Sequence, residues 1–176
     1  MFTCQLAGLK KVLCIGAHGD DIEIGCGATL LKLMRDRQDI EFYWYIFSAN
    51  GQRRHEVRRS ASEYLDRTKI SKIQIGNYRE SYFPAQWNLI KNSFEKLKGR
   101  FDPDAVFTHY HADRHQDHSV LSDLTWNTFR NHLILEYEIP KYDDLMAGNE
   151  FDHLAQKNRF LHLIFPFTIP IVSDSG

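Results

Sequence analysis

Short apolar runs alternate with longer stretches of mixed polarity along this chain of 176 residues. The apolar runs are rich in β-branched and aromatic residues and predict strands at residues 12–15, 40–47, 72–75, 105–108 and 133–137. The amphipathic or charged stretches between them predict helices at residues 22–35, 53–67, 87–98 and 119–131. Strands that alternate with helices imply right-handed crossovers. The pattern therefore predicts an α/β fold, a Rossmann-like three-layer domain with a mainly parallel sheet of about five strands.

Residue types that bind metals follow two of the predicted strands. His18, Asp20 and Asp21 come directly after the first strand, and residues 109–118 after the fourth strand contain four histidines and two aspartates. Parallel strands bring such ends to one edge of the sheet, where open α/β sheets bind ligands. One histidine and two aspartates provide metal ligands and a spare carboxylate for proton transfer. Either aspartate alone would serve equally well as a helix N-cap, and the second cluster favours the metal site.

Two segments resemble the signature motifs of a known family. Residues 17–23 read Ala-His-Gly-Asp-Asp-Ile-Glu, and residues 113–118 read Asp-Arg-His-Gln-Asp-His. Together they resemble the paired motifs of the PIG-L/LmbE family, whose members are zinc-dependent deacetylases of N-acetylglucosamine-type sugars. The family's first motif is usually Ala-His-Pro-Asp-Asp, so Gly19 replaces its proline. The resemblance covers residues 11–140.

The resemblance implies a role for most polar residues of the two motifs. It implies three protein ligands for zinc or another divalent metal, with one position left for water: His18, Asp21 and His118. Asp20 corresponds to the general base that takes a proton from the attacking water. His115 corresponds to the residue that stabilises the oxyanion and protonates the leaving amine, and Asp117 to the carboxylate that orients His115.

The remaining polar residues near the strand ends carry weaker expectations. Arg53 matches the first residue of an Arg-x-x-Glu pair with which the family helps to bind substrate. Two interpretations stay open: Arg53 donates to the sugar, or it belongs to a solvated helix face of charge pairs. Alternation along the strand would point His109 and His111 to one face. We expect both to support the fold or the ligands, because three ligands complete a catalytic zinc site. Asp113 is expected to brace its loop.

Charge and hydropathy restrict the partners. The formal net charge of −1 gives no electrostatic reason to expect a nucleic acid or an anionic membrane as partner. No apolar stretch reaches the length of a transmembrane helix, so the expectation is a cytoplasmic protein. The Gly-x-Gly at residues 25–27 lies beyond two aspartates that would repel phosphate, and a nucleotide cofactor is not expected.

The sequence thus predicts a domain plan and a function. Residues 1–140 are expected to form the catalytic domain, and residues 141–176 a divergent or truncated tail that packs on the same domain or on a neighbour. The apolar residues 161–172 favour a homo-oligomer. The predicted function is zinc-dependent removal of the acetyl group from an N-acetylated amino sugar, the hydrolysis of a linear amide. Two alternatives stay open: a metal-dependent phosphoesterase, which needs bridging carboxylates, and a catalytically weak binding protein on the same fold.

Overall fold

The structure, a computed structural model, describes residues 8–66, 68 and 70–139. Leu9–Pro140 belongs to one compact unit. Its strands are β1 Lys11–Gly16, β2 Glu41–Ile46, β3 Ile70–Ile75, β4 Ala105–His109 and β5 Leu133–Tyr137. Its helices are α1 Asp21–Asp36, α2 Gly51–Leu65, α3 Trp87–Lys98 and α4 Gln116–Thr128, and a short 3₁₀ turn, Pro84–Gln86, precedes α3. The predicted tail, residues 141–176, lies outside the described residues.

All neighbouring strands of the sheet pair in parallel, in the order β3-β2-β1-β4-β5. The predicted α/β fold with a parallel sheet of five strands is therefore confirmed. The chain builds outward from β1 to β3, then crosses back so that β4 pairs with the other side of β1. This reversal between β1 and β4 is a topological switch point, where the crevice at the carboxyl ends of the strands binds ligands.

The central strand is buried on both of its faces. Residues 12–15 of β1 have no exposed surface, as expected for a parallel strand covered by helices on either side. One face packs mainly against α3 and α4 through a cluster rich in aromatic residues that includes Leu13, Ile15, Phe47, Phe94 and Leu121. The rigid core therefore fixes β1 and β4, the strands that carry the candidate site.

The predicted elements are all present, with one boundary that matters for the site. Helix α4 begins at Gln116, three residues before the predicted start, so that Asp117 and His118 lie in its first turn. His115 occupies the N-cap position and its Nδ1 accepts a hydrogen bond from the Asp117 amide at 3.2 Å. Histidine is not a preferred N-cap residue, and the sequence therefore carries no capping signal at this position. None of the helices among the described residues is long and apolar enough to cross a membrane.

Candidate metal centre and active site

The turn from β1 into α1 places two carboxylates in different environments. Asp20 occupies the N-cap position of α1, but its side chain makes no capping hydrogen bond and is exposed. Asp21 begins the helix, and its Oδ2 accepts a hydrogen bond from the His18 amide at 2.7 Å. Neither carboxylate serves as a side-chain cap. Asp21 faces inward, and Asp20 stays accessible beside it.

Three donor atoms from β1–α1 and from α4 form a small triangle. His18 Nδ1 lies 3.5 Å from Asp21 Oδ2, and His118 Nε2 lies 3.6 Å from the same oxygen. The two imidazole nitrogens are 3.3 Å apart. Three ligands of a tetrahedral zinc ion at ordinary bond lengths are separated by about 3.4 Å. The three residues that the family resemblance implies as ligands therefore fit one metal ion by their separation and by their chemistry.

A carboxylate lies behind each imidazole of this triad. His18 turns its other nitrogen, Nε2, to Asp117 Oδ2 at 3.2 Å. His118 turns its other nitrogen, Nδ1, to Asp113 Oδ2 at 2.9 Å. Histidines that bind metals usually donate this second N–H to a carboxylate, which fixes the tautomer and makes the ligating nitrogen more basic. The surroundings of the triad therefore suit a metal centre, and Asp113 holds a ligand as well as its loop.

The electrostatics of the triad suit a bound cation. Burial opposes ionisation of Asp21, but hydrogen bonds with His109 and His18 outweigh it and hold the pKa of this carboxyl well below its usual range. Burial also opposes a charge on His18, but contacts with Asp21 and Asp117 raise the pKa of this histidine above its ordinary value. Burial lowers the pKa of His118. A divalent cation would replace the proton of His18 and neutralise the buried carboxylate.

His115 and Asp20 lie on the accessible side of the triad. The His115 ring is 5.0 Å from the His18 ring and 4.4 Å from the His118 ring, between centroids. Donor atoms of these three histidines lie within 4.8 Å of one another. Burial and the neighbouring histidines lower the pKa of His115. The charge of Asp20 acts on His118. His115 therefore adjoins the triad, and Asp20 is an exposed carboxylate in the turn beside it.

The side chain of Asp117 does not have the predicted partner. The prediction that it orients His115 through its carboxylate is wrong in geometry, since only the Asp117 main-chain amide reaches that ring. The fully buried carboxylate instead accepts hydrogen bonds from the amides of Ser81, at 2.6 Å, and Phe83, at 3.1 Å, and contacts His18. The reason is the start of α4 at Gln116, which directs the Asp117 side chain toward the β3–α3 loop.

His109 contributes more to the site than the sequence suggested. It is fully buried at the end of β4, and its Nε2 lies 3.3 Å from Asp21 Oδ2 and 3.1 Å from the Ala17 amide. Burial lowers its pKa to about 4, which favours a neutral ring. The expectation that His109 and His111 share a face is wrong, because β4 ends at His109. His111 is exposed beyond the strand and pairs with Glu136 at 2.7 Å.

Arg53 lies in the first turn of α2, at the same edge of the sheet as the triad. Its side chain is exposed, and it has no hydrogen-bond or ion-pair partner among the residues that the structure describes. The neighbouring Arg54 instead donates to the carbonyls of Ile75, at 2.8 Å, and Gly76, at 3.0 Å, and so ties α2 to the end of β3. Substrate binding by Arg53 stays a prediction.

Two glycines of the first motif are explained by close packing. A Cβ at Gly19 would lie 2.3 Å from Val57 Cγ2, and one at Gly25 would lie 2.1 Å from the Tyr137 ring. Gly25 and Gly27 both lie inside α1, where Gly25 packs against Tyr137 of β5 and Gly27 against Tyr64 of α2. The departure from the family's proline at position 19 coincides with a bulky neighbour on α2.

The His/Asp triad lies at the switch point of a parallel three-layer sheet, the place where this class of fold binds ligands. The family model described as PIG-L, GlcNAc-PI de-N-acetylase, matches residues 13–129. The chain therefore belongs to the PIG-L family of de-N-acetylases, and the resemblance of its two motifs is confirmed. The uncharacterized deacetylase YaiS of Escherichia coli strain K12 is 32% identical over 141 residues, 74% of this chain and 75% of that protein.

Solved structures share the fold at lower identity. The N,N'-diacetylchitobiose deacetylase from Pyrococcus horikoshii, complexed with its inhibitor, has a TM-score of 0.56 at 23% identity and covers 94% of this chain and 75% of its own. A deacetylase of the teicoplanin biosynthesis pathway has a TM-score of 0.56 at 18% identity, with 76% of this chain and 68% of its own covered. The likeness establishes a shared three-layer architecture.

Proposed function

We propose that this protein is a zinc-dependent hydrolase that removes the acetyl group from an N-acetylated amino sugar of the N-acetylglucosamine type. The observation that carries the proposal is the triangle of His18, Asp21 and His118, with edges of 3.3 to 3.6 Å and a carboxylate behind each imidazole. Membership in a family of de-N-acetylases supports the reaction class. Zinc is the metal that best suits two imidazoles and a carboxylate in a tetrahedral arrangement.

The protein side chains divide the proton transfers between them. A zinc ion held by the triad would supply positive charge that polarises the acetyl carbonyl and acidifies a water molecule. Asp20 is the exposed carboxylate of the turn and accepts the proton of the attacking water. His115, in its protonated form, donates a proton to the departing nitrogen, so that the amine leaves neutral and the imidazole is left neutral. Its imidazole also offers an N–H to the negative charge that develops on the carbonyl oxygen.

The remaining residues hold these groups in place. Asp113 orients His118 and also accepts the His115 amide at 2.7 Å, so it supports a ligand and the proposed acid together. Asp117 supports His18 from the opposite side of the site. Arg53, exposed at the same sheet edge, is proposed to contact the sugar. These contacts favour an enzyme over a binding protein that merely keeps the fold.

The substrate class rests on the family and on one named relative. The family description names a de-N-acetylase of an N-acetylglucosamine conjugate, and the Pyrococcus protein is a deacetylase of N,N'-diacetylchitobiose. Both substrates carry an acetamido group on a sugar. The net charge of −1 does not favour a nucleic acid. Cytoplasmic residence and self-association stay predictions.

Acetate release tests the proposal directly. The full chain, loaded with zinc, should release acetate from N-acetylglucosamine, N,N'-diacetylchitobiose or a longer N-acetylglucosamine conjugate, and should bind about one zinc ion per chain. A phosphate monoester serves as the matched control for the phosphoesterase alternative. Release of phosphate but no acetate, with two metal ions per chain, would overturn the deacetylase assignment. Metal binding without turnover of any acetylated sugar would favour the binding protein.

A further inference from the structure

The loop between β3 and α3 is hydrogen-bonded to one buried carboxylate beside the candidate metal centre. Asp117 is fully buried, and its two oxygens accept the amides of Ser81, at 2.6 Å, and Phe83, at 3.1 Å. The oxygen that accepts Ser81 is also 3.2 Å from Nε2 of His18. The Asp117 side chain therefore joins His18 to a loop that lies more than thirty residues before Asp117 in sequence.

The backbone of this loop is strained at Ser81 and is stabilised by hydrogen bonds from outside the loop. Ser81 has a φ of 65°, and no other non-glycine residue among those described has a positive φ. A left-handed conformation costs an ordinary residue about 1 kcal/mol or more. The Gln116 side chain, at the start of α4, adds a hydrogen bond to the Ser81 carbonyl. Two side chains of α4 therefore stabilise this conformation: Asp117 accepts the Ser81 N–H, and Gln116 donates to the Ser81 carbonyl.

The loop also faces the site with residues suited to contact a ligand. The charge of Glu80 acts on His18, which places this exposed carboxylate near the triad. Tyr82 is 46% exposed, and the guanidinium of Arg79 lies over its ring at 3.6 Å from the centroid. The Phe83 ring lies 6.1 Å from the His18 ring between centroids, so Glu80 and Phe83 bring this loop next to the triad.

We propose that Asp117 is a positioning residue that couples metal binding at His18 to the order of the loop of residues 79–83. The inference rests on the proposed function in one respect, that His18 binds a metal through Nδ1. The loop then takes its substrate-facing conformation fully only when the metal site is loaded. Substrate binding is thereby restricted to enzyme that can react.

The coupling follows from what holds the ring of His18. A metal bound at Nδ1 would fix the ring, so that its Nε2–H donates to Asp117 and holds that carboxylate in place. Without metal, the polar neighbours of Nδ1 among the described residues are Asp21, at 3.5 Å, and His118, at 3.3 Å, and the ring is held less firmly. The carboxylate of Asp117, and with it the acceptor of the Ser81 and Phe83 amides, is then less fixed. By linkage, what stabilises the loop also strengthens metal binding.

Amide hydrogen exchange on the full chain tests the coupling without any substrate. Exchange at Ser81 and Phe83 should slow at least about fivefold when the chelator-treated protein is loaded with zinc, the lower end of usual coupling between sites. The amide of Phe129, which donates to the Thr125 carbonyl at the end of α4, is the internal control and should not respond. Unchanged loop exchange in protein that binds zinc would overturn this inference and leave the proposed function intact. Failure to bind zinc would overturn both.

Two variants separate positioning from general structural support. Asp117→Asn places an amide N–H against main-chain donors, and should lower zinc affinity about 10–100-fold and abolish the zinc-dependent change in loop exchange. Ser81→Gly keeps the amide and accepts a positive φ without strain, so the zinc-dependent change should persist. If Asp117→Asn weakens zinc binding yet the loop still responds to zinc, Asp117 serves His18 alone and the coupling is wrong. Should that variant not fold, the comparison of wild-type protein with and without zinc decides.

Discussion

Replacing Gly19 with alanine should destabilise this protein, and the reason is a single side chain on α2. The new Cβ would lie 2.3 Å from Val57 Cγ2, far inside van der Waals contact. Val57 is a buried residue of α2, only 5% exposed, so it has little room to withdraw. Overpacking of this kind typically costs about 1–3 kcal/mol. The backbone at Gly19 is not left-handed, and the clash alone accounts for the cost.

The neighbour that causes the clash also provides the matched control. Val57→Ala removes the methyl group that the new Cβ would strike, at a cost of roughly 1.6 kcal/mol for two buried methyl groups plus a cavity term. In the double variant the added methyl at position 19 enters the space that valine vacated. We therefore expect the double variant to be more stable than the sum of the single effects predicts, by about 1–3 kcal/mol.

Urea unfolding of the four proteins in chelator measures this coupling, and zinc affinity provides a second measurement. Gly19 lies between His18 and Asp21, so a displaced turn should weaken zinc binding in Gly19→Ala and should do so less in the double variant. Additive single effects, within about 0.5 kcal/mol, would refute the steric argument. An unaltered stability of Gly19→Ala would refute it as well, and the replacement of the family's proline would then need another explanation.

Three further predictions concern the chemistry. His118→Ala should lose zinc and activity together, whereas Asp20→Asn should keep zinc and lose roughly 10²–10⁴-fold in rate. Metal analysis and kcat distinguish the two variants. Normal turnover of Asp20→Asn would end the assignment of Asp20 as the base. Asp21 has a folded-state pKa below its unfolded value, so its stabilisation is present above about pH 4 and is lost as the pH falls further. Urea unfolding in chelator between pH 3 and 7 should therefore give a steeper acid loss for wild type than for Asp21→Asn, and equal slopes would contradict this. Arg53→Ala should raise KM with little change in kcat, and an unchanged KM on every acetylated sugar would place Arg53 on a merely solvated face.

The order and type of the secondary-structure elements can be predicted from the pattern of apolar and polar residues along the chain. Strand β1 is predicted well because a central parallel strand is buried on both faces and therefore apolar throughout. The run at residues 12–15 contains only apolar residues. The start of α4 is predicted three residues late because its N-cap is His115, a residue type without capping preference. The hydrophobic pattern therefore indicates which elements form, whereas the start of this helix is marked by a local hydrogen bond from the Asp117 amide to the His115 ring.

The candidate site is predictable as far as strand ends determine it. The strand ends predict that the two clusters share one edge of the sheet, and the family resemblance implies His18, Asp21 and His118 as the ligand set. In the structure β1 and β4 adjoin, and the donor atoms of these three residues lie within 3.6 Å of one another. What sequence reasoning missed is the partner of each supporting residue. The proximity of His109 to Asp21 depends on where β4 ends, and alternation alone does not state this.

Three of the carboxylates in the two motifs show how the environment of an aspartate distinguishes its role when the residue type is the same. Asp117 is fully buried and receives two main-chain amides, so its side chain is held in place and has no access to solvent. Asp21 is 4% exposed and faces imidazole nitrogens, the environment of a ligand that keeps its negative charge. Asp20 is exposed and makes no capping bond, so it can exchange protons with solvent after each turnover. A general base must return its proton, and of these three carboxylates only Asp20 has a route to water.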